Sequence, residues 1–231
     1  MKTIRKDLEK LRTVRKRKYH PLIHKIHKKH KISRKTLFYV KEYGPHANIS
    51  RTIIKESIKI LLFASIISSA GGLALEYIKT LFISIMPLII IMPTLNDMIG
   101  DYGTIVSSRF STLLHEDKIK KRWWLNKELK KLFIQIFIVS ILTAVISSII
   151  ALIISNLSGY ALNTIIITKI FFINIIDVAL IVTILFLIAI LAGIYFYKKG
   201  EDPNNFLIPI TTSIADFGNM IILSFLVILF F

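Results

Sequence analysis

Apolar and polar positions divide the chain into two parts. Residues 1–51 are mostly charged or polar, whereas long apolar stretches separated by short polar breaks follow from about residue 52. A transmembrane helix needs about 20 mostly apolar residues. Five stretches reach that length, at about 52–78, 81–114, 132–154, within 165–197, and 206–231. The pattern predicts an all-α integral membrane protein with about five transmembrane helices.

Polar residues interrupt two of these stretches and leave the others almost uniformly apolar. The second stretch contains Pro87, Pro93, Asn96, Asp97, Gly100, Asp101 and Gly103. The last contains Pro209, Asp216, Gly218 and Asn219. Because lipid chains offer no hydrogen-bond partners, polar residues in a transmembrane helix cost free energy, and those present tend to have a functional role.

The distribution of charge predicts the orientation in the membrane. Residues 1–51 carry 17 Lys and Arg against three acidic residues, and the break at 115–131 carries seven more Lys and Arg. Lys198 and Lys199 lie in a third polar break, while 155–163 has no charge. Lys and Arg accumulate on the cytosolic side. We therefore expect a basic cytosolic tail (1–51, an amphipathic helix or disordered) and a five-helix domain (52–231) in the cell membrane. The N-terminus would lie in the cytosol and the C-terminus outside. A short external connection near Lys79 would join the first two spans.

The composition narrows the functional classes. Only 19% of residues are charged and 54% are hydrophobic, and there is no cysteine. Disulfides, thiolate catalysis and cysteine metal sites are therefore excluded. No nucleophile constellation or intramembrane His/Glu metal motif is present, so the sequence does not predict an enzyme.

Four aspartates fall at membrane depth. Asp97 and Asp101 are four residues apart and would share one helix face. Asp216 stands among hydroxyl and amide residues, whereas Asp177 stands among apolar ones, which favours a hydrogen-bonded contact between helices. A carboxylate costs about 2.5–3.5 kcal/mol at the centre of a span on insertion scales.

The polar groups of the second and last spans have the chemistry of a cation path. Gly100 and Gly103 would let another backbone or a hydrated ion approach closely, and Pro93 can release a backbone carbonyl. Ser213 and Asn219 lie three residues on either side of Asp216. Mg²⁺ and Ca²⁺ prefer oxygen ligands, and Mg²⁺ keeps much of its water. A kinked packing helix is the alternative for the second span.

Two stretches resemble the MgtE-type family of magnesium transporters. The first is P-T-L-N-D-M-I-G-D-Y-G-T-I-V-S-S-R-F-S-T, residues 93–112, where Gly100, Gly103, Ser108 and Arg109 match the family spacing. The second is D-P-N-N-F-L-I-P-I-T-T-S-I-A-D, residues 202–216, where Asp202, Pro203, Asn205, Pro209, Ser213 and Asp216 match. The resemblance covers about residues 52–231. Asp101 replaces the family's asparagine, and a basic tail stands where bacterial members carry an acidic helical domain and CBS domains.

The resemblance implies a dimer whose pore is lined by the second and fifth helices of both copies. The family's central pore carboxylate falls on Asp216, so Mg²⁺ would be the transported and pore-bound ion. From the polar chemistry of the two spans, we expect Asp97, Asp101, Ser213 and Asn219 to be supporting ligands. The partner would be a second copy or a homologous subunit.

Other interpretations stay open at this stage. The chain could be a non-transporting anchor whose basic tail recruits anionic lipid, nucleic acid or a partner protein, or a proton-coupled carrier for an organic solute. The tail's cations favour contact with the anionic inner leaflet. No specific nucleic-acid partner is predicted, because the tail has no aromatic platform or known module. Its histidines, His20, His24, His27 and His30, have a helical spacing that a transition metal could also use.

Overall fold

The computed structural model describes residues 6–7, 10, 21–30, 37, 49–116, 118–119, 123–199 and 201–231. These residues form six helices of ten residues or more. They are α1 (Pro21–His30), α2 (Ile49–Ser84), α3 (Met86–His115), α4 (Lys127–Leu157), α5 (Thr164–Lys199) and α6 (Pro203–Phe230). A 3₁₀ turn, Trp123–Leu125, precedes α4. The all-helical prediction is confirmed for the described part of the chain.

Four of the helices are long and apolar enough to cross a membrane. They are Ser57–Ser84 within α2, together with α4, α5 and α6. Helix α3 has 30 residues but is not among them. Its centre carries Asn96, Asp97 and Asp101, and these lower its hydropathy.

Local chemistry explains where α4 and α6 begin. The Asn126 side chain caps α4 by accepting hydrogen bonds from the amides of Glu128 and Leu129, at 2.9 and 3.3 Å. Asp202 caps α6 by accepting from the Asn204 amide at 3.0 Å, and Pro203 occupies the first turn. These positions suit the four unpaired amides of a helix start and a residue without an amide hydrogen. The D-P pair of the second motif therefore begins a helix.

The prediction that the first two spans are connected near Lys79 is wrong in position. Helix α2 continues through Lys79 to Ser84, and only Ile85 separates it from α3. Lys79 lies on the exposed helix surface and forms an ion pair with Glu76 one turn earlier. A Lys–Glu pair near a helix end keeps both charges accessible to water, so one lysine does not end the helix.

Contacts at the helix ends show that α3 runs the full length of the bundle. At one end, the Tyr160 hydroxyl donates to the Ser84 carbonyl at 3.3 Å. At the other end, the His115 ring stands edge-on to Tyr197 at 5.3 Å, and His115 Nε2 lies 3.9 Å from Asp202 Oδ1. The α3–α4 and α5–α6 connections thus share one end, and the α2–α3 and α4–α5 connections share the other. The basic breaks at 115–131 and 198–199 consequently belong to the same end.

Helix α6 lies at the centre of the helix packing. It contacts α2, α3 and α5, while α2 has few contacts with α3. Leu207, Ala215 and Val227 of α6 are fully buried. Helix α2 is mostly exposed and presents side chains such as Leu73 and Tyr77 to the surroundings. Such outward apolar residues are expected where lipid is the solvent.

The described part of the basic tail is helix α1 with a few flanking residues. Ile23 and Ile26 are buried on one side of α1. Asp7 receives a 2.6 Å hydrogen bond from Lys29 Nζ and lies 3.0 Å from His30 Nε2. These hydrogen bonds, from Lys29 first and then His30, lower the pKa of the Asp7 carboxyl to about 2. His20, the first of the four histidines with helical spacing, lies outside the described residues.

Candidate functional site

A polar cluster joins three helices around Asp216. Ser68 Oγ of α2 donates to Asp216 Oδ2 at 2.7 Å. Asn96 Nδ2 of α3 donates to Asp216 Oδ1 at 2.8 Å. Each carboxylate oxygen therefore has one donor from a different helix. Hydrogen bonds to a charged acceptor are strong, and these two offset part of the free-energy cost of removing the carboxylate from water.

Asn219 extends the cluster by one turn of α6. Its Nδ2 donates to Asn96 Oδ1 at 3.1 Å, so Asn96 bridges Asp216 and Asn219. Asn219 is fully buried, and its Oδ1 has no hydrogen-bond partner within the described part of the chain. The cluster thus holds an oxygen acceptor beside a half-buried carboxylate.

Close approach of the helix backbones makes this cluster possible. A Cβ on Gly103 of α3 would stand 3.2 Å from Thr211 Cβ of α6, and a Cβ on Gly71 of α2 would stand 3.1 Å from the Phe217 Cα. Beside Gly103, the hydroxyls of Ser107 and Thr211 are 3.0 Å apart. Small residues let membrane helices pack this tightly. The short side chains of Ser68 and Asn96 can therefore reach Asp216.

Ser213 does not join the cluster directly. Its hydroxyl donates to the carbonyls of Pro209 and Ile210 in its own helix, at 2.8 and 3.1 Å. Because Pro209 has no amide hydrogen, the carbonyl one turn before it lacks its usual intrahelical donor. Ser213 is 5% exposed, and its hydroxyl bonds to the backbone of the turn that begins at Pro209 rather than to Asp216.

Asp97 and Asp101 lie on the exposed face of α3, away from Asp216. Neither has a hydrogen-bond or ion-pair partner among the described residues. Pro93 and Thr94 lie on the same exposed face, and a Cβ on Gly100 would meet nothing within 4 Å. The predicted shared face is therefore present, but one copy of the chain does not bring it to Asp216. Helix α3 is continuous through Pro93.

Sequence reasoning missed two members of the cluster, Ser68 and Asn96. Asn96 stood beside Asp97 in the interrupted span, and an amide adjacent to a motif carboxylate was an available signal. Ser68 offered none, because a serine in an apolar helix is common and lies 148 residues from Asp216. Only packing identifies it.

Asp177 differs from its expected role. Both carboxyl oxygens are buried without a hydrogen-bond partner within the described residues. The interhelical contact predicted for it is made instead by Asn174, one turn earlier. Asn174 Nδ2 donates to the Ala144 carbonyl at 2.7 Å and to Ser148 Oγ at 2.6 Å, joining α5 to α4.

Within one chain, the cluster presents one carboxylate and neighbouring amide and hydroxyl oxygen atoms. Hard divalent cations prefer such ligands. Among the residues that the structure describes, no three His, Asp or Glu side chains are grouped as a metal site within one chain.

Comparison with known proteins agrees with this chemistry. The family model described as MgtE, divalent cation transporter, matches residues 92–226. The match includes both motifs and extends from α3 into α6, but it leaves out α2. No curated protein and no solved structure matches the chain. The family match covers more than half of the 231 residues. The chain belongs to the MgtE family of divalent cation transporters.

Proposed function

We propose that this protein moves divalent cations, with Mg²⁺ as the favoured ion, along a path beside Asp216. The observation that carries the proposal is the half-buried Asp216 carboxylate, which receives donors from α2 and α3 at 2.7 and 2.8 Å. Family membership supports cation transport of this general kind. A fixed carboxylate with neighbouring oxygen atoms can hold a partly hydrated cation without stripping all of its water.

The path forms between two copies of the chain, or between this chain and a homologous subunit. The supporting observation is that Asp97 and Asp101 lie on the exposed face of α3 near the middle of that helix, where contact with lipid would be costly for a carboxylate. A second subunit against this face would enclose the carboxylates in a polar lumen. Two copies would then offer several carboxylates to one 2+ ion, which offsets a desolvation cost that a single carboxylate does not.

Helix α3, the second span in chain order, completes the set of five transmembrane helices. Its two ends meet opposite ends of the bundle, at Ser84–Tyr160 and at His115–Asp202, although its own hydropathy is low. The polar face would lie toward the lumen rather than toward lipid. The end with the basic connections faces the cytosol, and so does the N-terminal tail, in the cell membrane.

The membrane potential would drive the ion inward. Moving one charge is worth about 2.3 kcal/mol per 100 mV, hence about twice that for a 2+ ion. The carboxylates would lower the barrier to entering a low-dielectric region, and the remaining water would allow the ion to leave. We propose a transporter rather than an enzyme, because moving the ion makes and breaks no covalent bond.

Ion uptake into proteoliposomes tests this proposal. Mg²⁺ entry into vesicles with the wild-type chain is compared with entry for Asp216→Asn. A matched control is Glu76→Gln, which removes one negative charge from the exposed, ion-paired end of α2. We expect Asp216→Asn to abolish entry and Glu76→Gln to retain it, with both variants folded. Parallel assays with Mn²⁺, Co²⁺ and Zn²⁺ rank the ions.

Two results would redirect the proposal. Uptake that survives Asp216→Asn would remove Asp216 from the path. A folded wild type that conducts no divalent ion, even when co-reconstituted with a homologous subunit, would favour the anchor function. Deletion of the tail, rather than neutralisation of Asp216, would then abolish activity.

A further inference from the structure

A groove between α3 and α4 has a charged end and an apolar end. The cavity has a volume of about 630 Å³. Toward the end that carries the basic connections its lining includes Arg109 and Lys131, and toward the middle of the bundle it includes Ile105, Ile136 and Val139. This gradient runs along the helix axes, as the head and chains of a membrane lipid do.

Three cations line the groove, and two of them, Arg109 and Lys131, have no ion-pair partner among the described residues. The groove also contains Glu116 and Glu128. Lys118 Nζ donates to Glu116 Oε2 at 2.8 Å, and this hydrogen-bonded ion pair raises the pKa of Lys118. Glu116 is therefore already paired. Arg109 and Lys131 face one remaining acid, Glu128.

The depth of the cations matches a lipid headgroup. Arg109 lies six residues before the end of α3 at His115, which is about 9 Å along the axis. Lys131 lies four residues after the start of α4 at Lys127, about 6 Å along it. Both side chains are exposed and can reach toward the surface.

The apolar end offers a surface for an acyl chain. Ile105 and Val139 are 45% and 50% exposed, while Ile136 is buried and forms the floor. The Tyr102 hydroxyl bonds to Thr143, which holds α3 against α4 below the groove. The walls therefore belong to two helices that are already fixed to one another.

We propose that this groove binds one anionic phospholipid of the inner leaflet. Arg109 and Lys131 hold the phosphate, and one acyl chain lies along Ile105, Ile136 and Val139. Basic pockets between membrane helices on the cytosolic side bind anionic headgroups in this way. The groove lies on the side of Asp101 that faces the basic connections, and its first exposed α3 residue, Ile105, is one helix turn beyond Asp101. The lipid site rests on the proposed orientation in the membrane but not on ion transport.

Native mass spectrometry of the full chain in detergent tests this site without measuring transport. Dioleoyl phosphatidylglycerol is compared with dioleoyl phosphatidylcholine, which has the same acyl chains. We expect the anionic lipid to bind more tightly. Arg109→Gln and Lys131→Gln should each weaken it roughly fivefold, and the double variant roughly 30-fold, from the typical contribution of one basic residue near a membrane surface. Inorganic phosphate should not displace the lipid, because it lacks the acyl contact.

The control is Lys198→Gln, which removes the same charge from the same end of the bundle outside the groove. It should leave lipid affinity within twofold. Equal losses in Lys198→Gln and Lys131→Gln would reduce the effect to general surface charge and overturn the site. Absence of any headgroup preference, or displacement by inorganic phosphate, would overturn it as well.

A second copy covering the groove would give a different result. The chain has no cysteine, so Val139→Cys reports on that contact cleanly. Disulfide-linked dimers of Val139→Cys would assign the groove to a protein interface and overturn the lipid. Should Arg109→Gln fail to fold, Lys131→Gln still decides the outcome, because Lys131 is exposed on α4.

Discussion

Asn96 Nδ2 donates to Asp216 Oδ1 at 2.8 Å, although the two residues are 120 positions apart in the chain. Asn96 Oδ1 also accepts a hydrogen bond from Asn219 Nδ2, at 3.1 Å. One side chain of α3 thus orients two polar groups of α6. The amide acts as a positioning group for the carboxylate proposed to meet the ion.

Asn96→Ala should lower Mg²⁺ uptake by roughly 10- to 100-fold. A hydrogen bond to a charged group contributes about 1.5–3 kcal/mol, and Asp216 would lose one of its two donors. Proteoliposome uptake at matched protein density measures the effect. Asn156→Ala, on the exposed last turn of α4, is the control and should transport normally. Unchanged uptake in Asn96→Ala would show that the bridge does not position Asp216.

Gly103→Val should destabilise the protein by about 1–3 kcal/mol, because its Cβ would lie 3.2–3.4 Å from Thr211 and larger atoms would overlap. Gly100→Val makes the same substitution in the same helix, where a Cβ meets nothing within 4 Å. Apparent melting temperatures in detergent compare the two. Equal shifts would mean that α3 and α6 do not pack as closely as the structure has them.

Asp177→Leu should raise the apparent melting temperature. Both carboxyl oxygens are buried without partners in the described part of the chain, and an apolar side chain of similar shape removes a desolvation cost of about 1–3 kcal/mol. Asp177→Asn keeps a buried polar group and should gain less. A fall in stability in Asp177→Leu would reveal an undetected partner. Higher stability with lost uptake would assign Asp177 to transport.

Thr94→Cys should form disulfide-linked dimers if the exposed face of α3 meets a second copy. The absence of native cysteine means that any crosslink comes from the introduced thiol. Ile150→Cys, on an exposed side chain of α4, is the control and should stay monomeric on denaturing gels. Crosslinking in membranes by mild oxidation gives the readout. Crosslinks at residue 150 and none at residue 94 would move the interface to α4.

Much of the architecture was predictable from the sequence because its determinants are local. Apolar runs of membrane length located α2, α4, α5 and α6 in the described chain, and the Pro and Asp residues marked α3 as different. The connection near Lys79 was predicted wrongly, because a single lysine beside Glu76 costs too little to end a helix. The two motifs led to the MgtE family, which the family model confirms over residues 92–226.

The candidate site was predictable only in part. Asp216 and Asn219 do share a cluster, and their roles in transport remain predictions. Asp97 and Asp101 were grouped with them by composition, but helix rotation turns both outward in one copy. Ser68 could not be chosen and Asn96 was marked only by its place beside Asp97, since nothing in a single sequence identifies contacts across 148 and 120 positions.

The sequence by itself determined which segments are helical, where most of the membrane-length helices lie, and that carboxylates fall within them. These properties depend on span length and on the cost of polar groups in lipid, which act residue by residue. The tertiary structure decided which polar groups meet. The rotation of each helix about its axis is set by close packing, such as Gly103 on Thr211 and Gly71 on Phe217. That rotation brings Asp216 to Asn96 and Ser68 and leaves Asp97 and Asp101 on the open face.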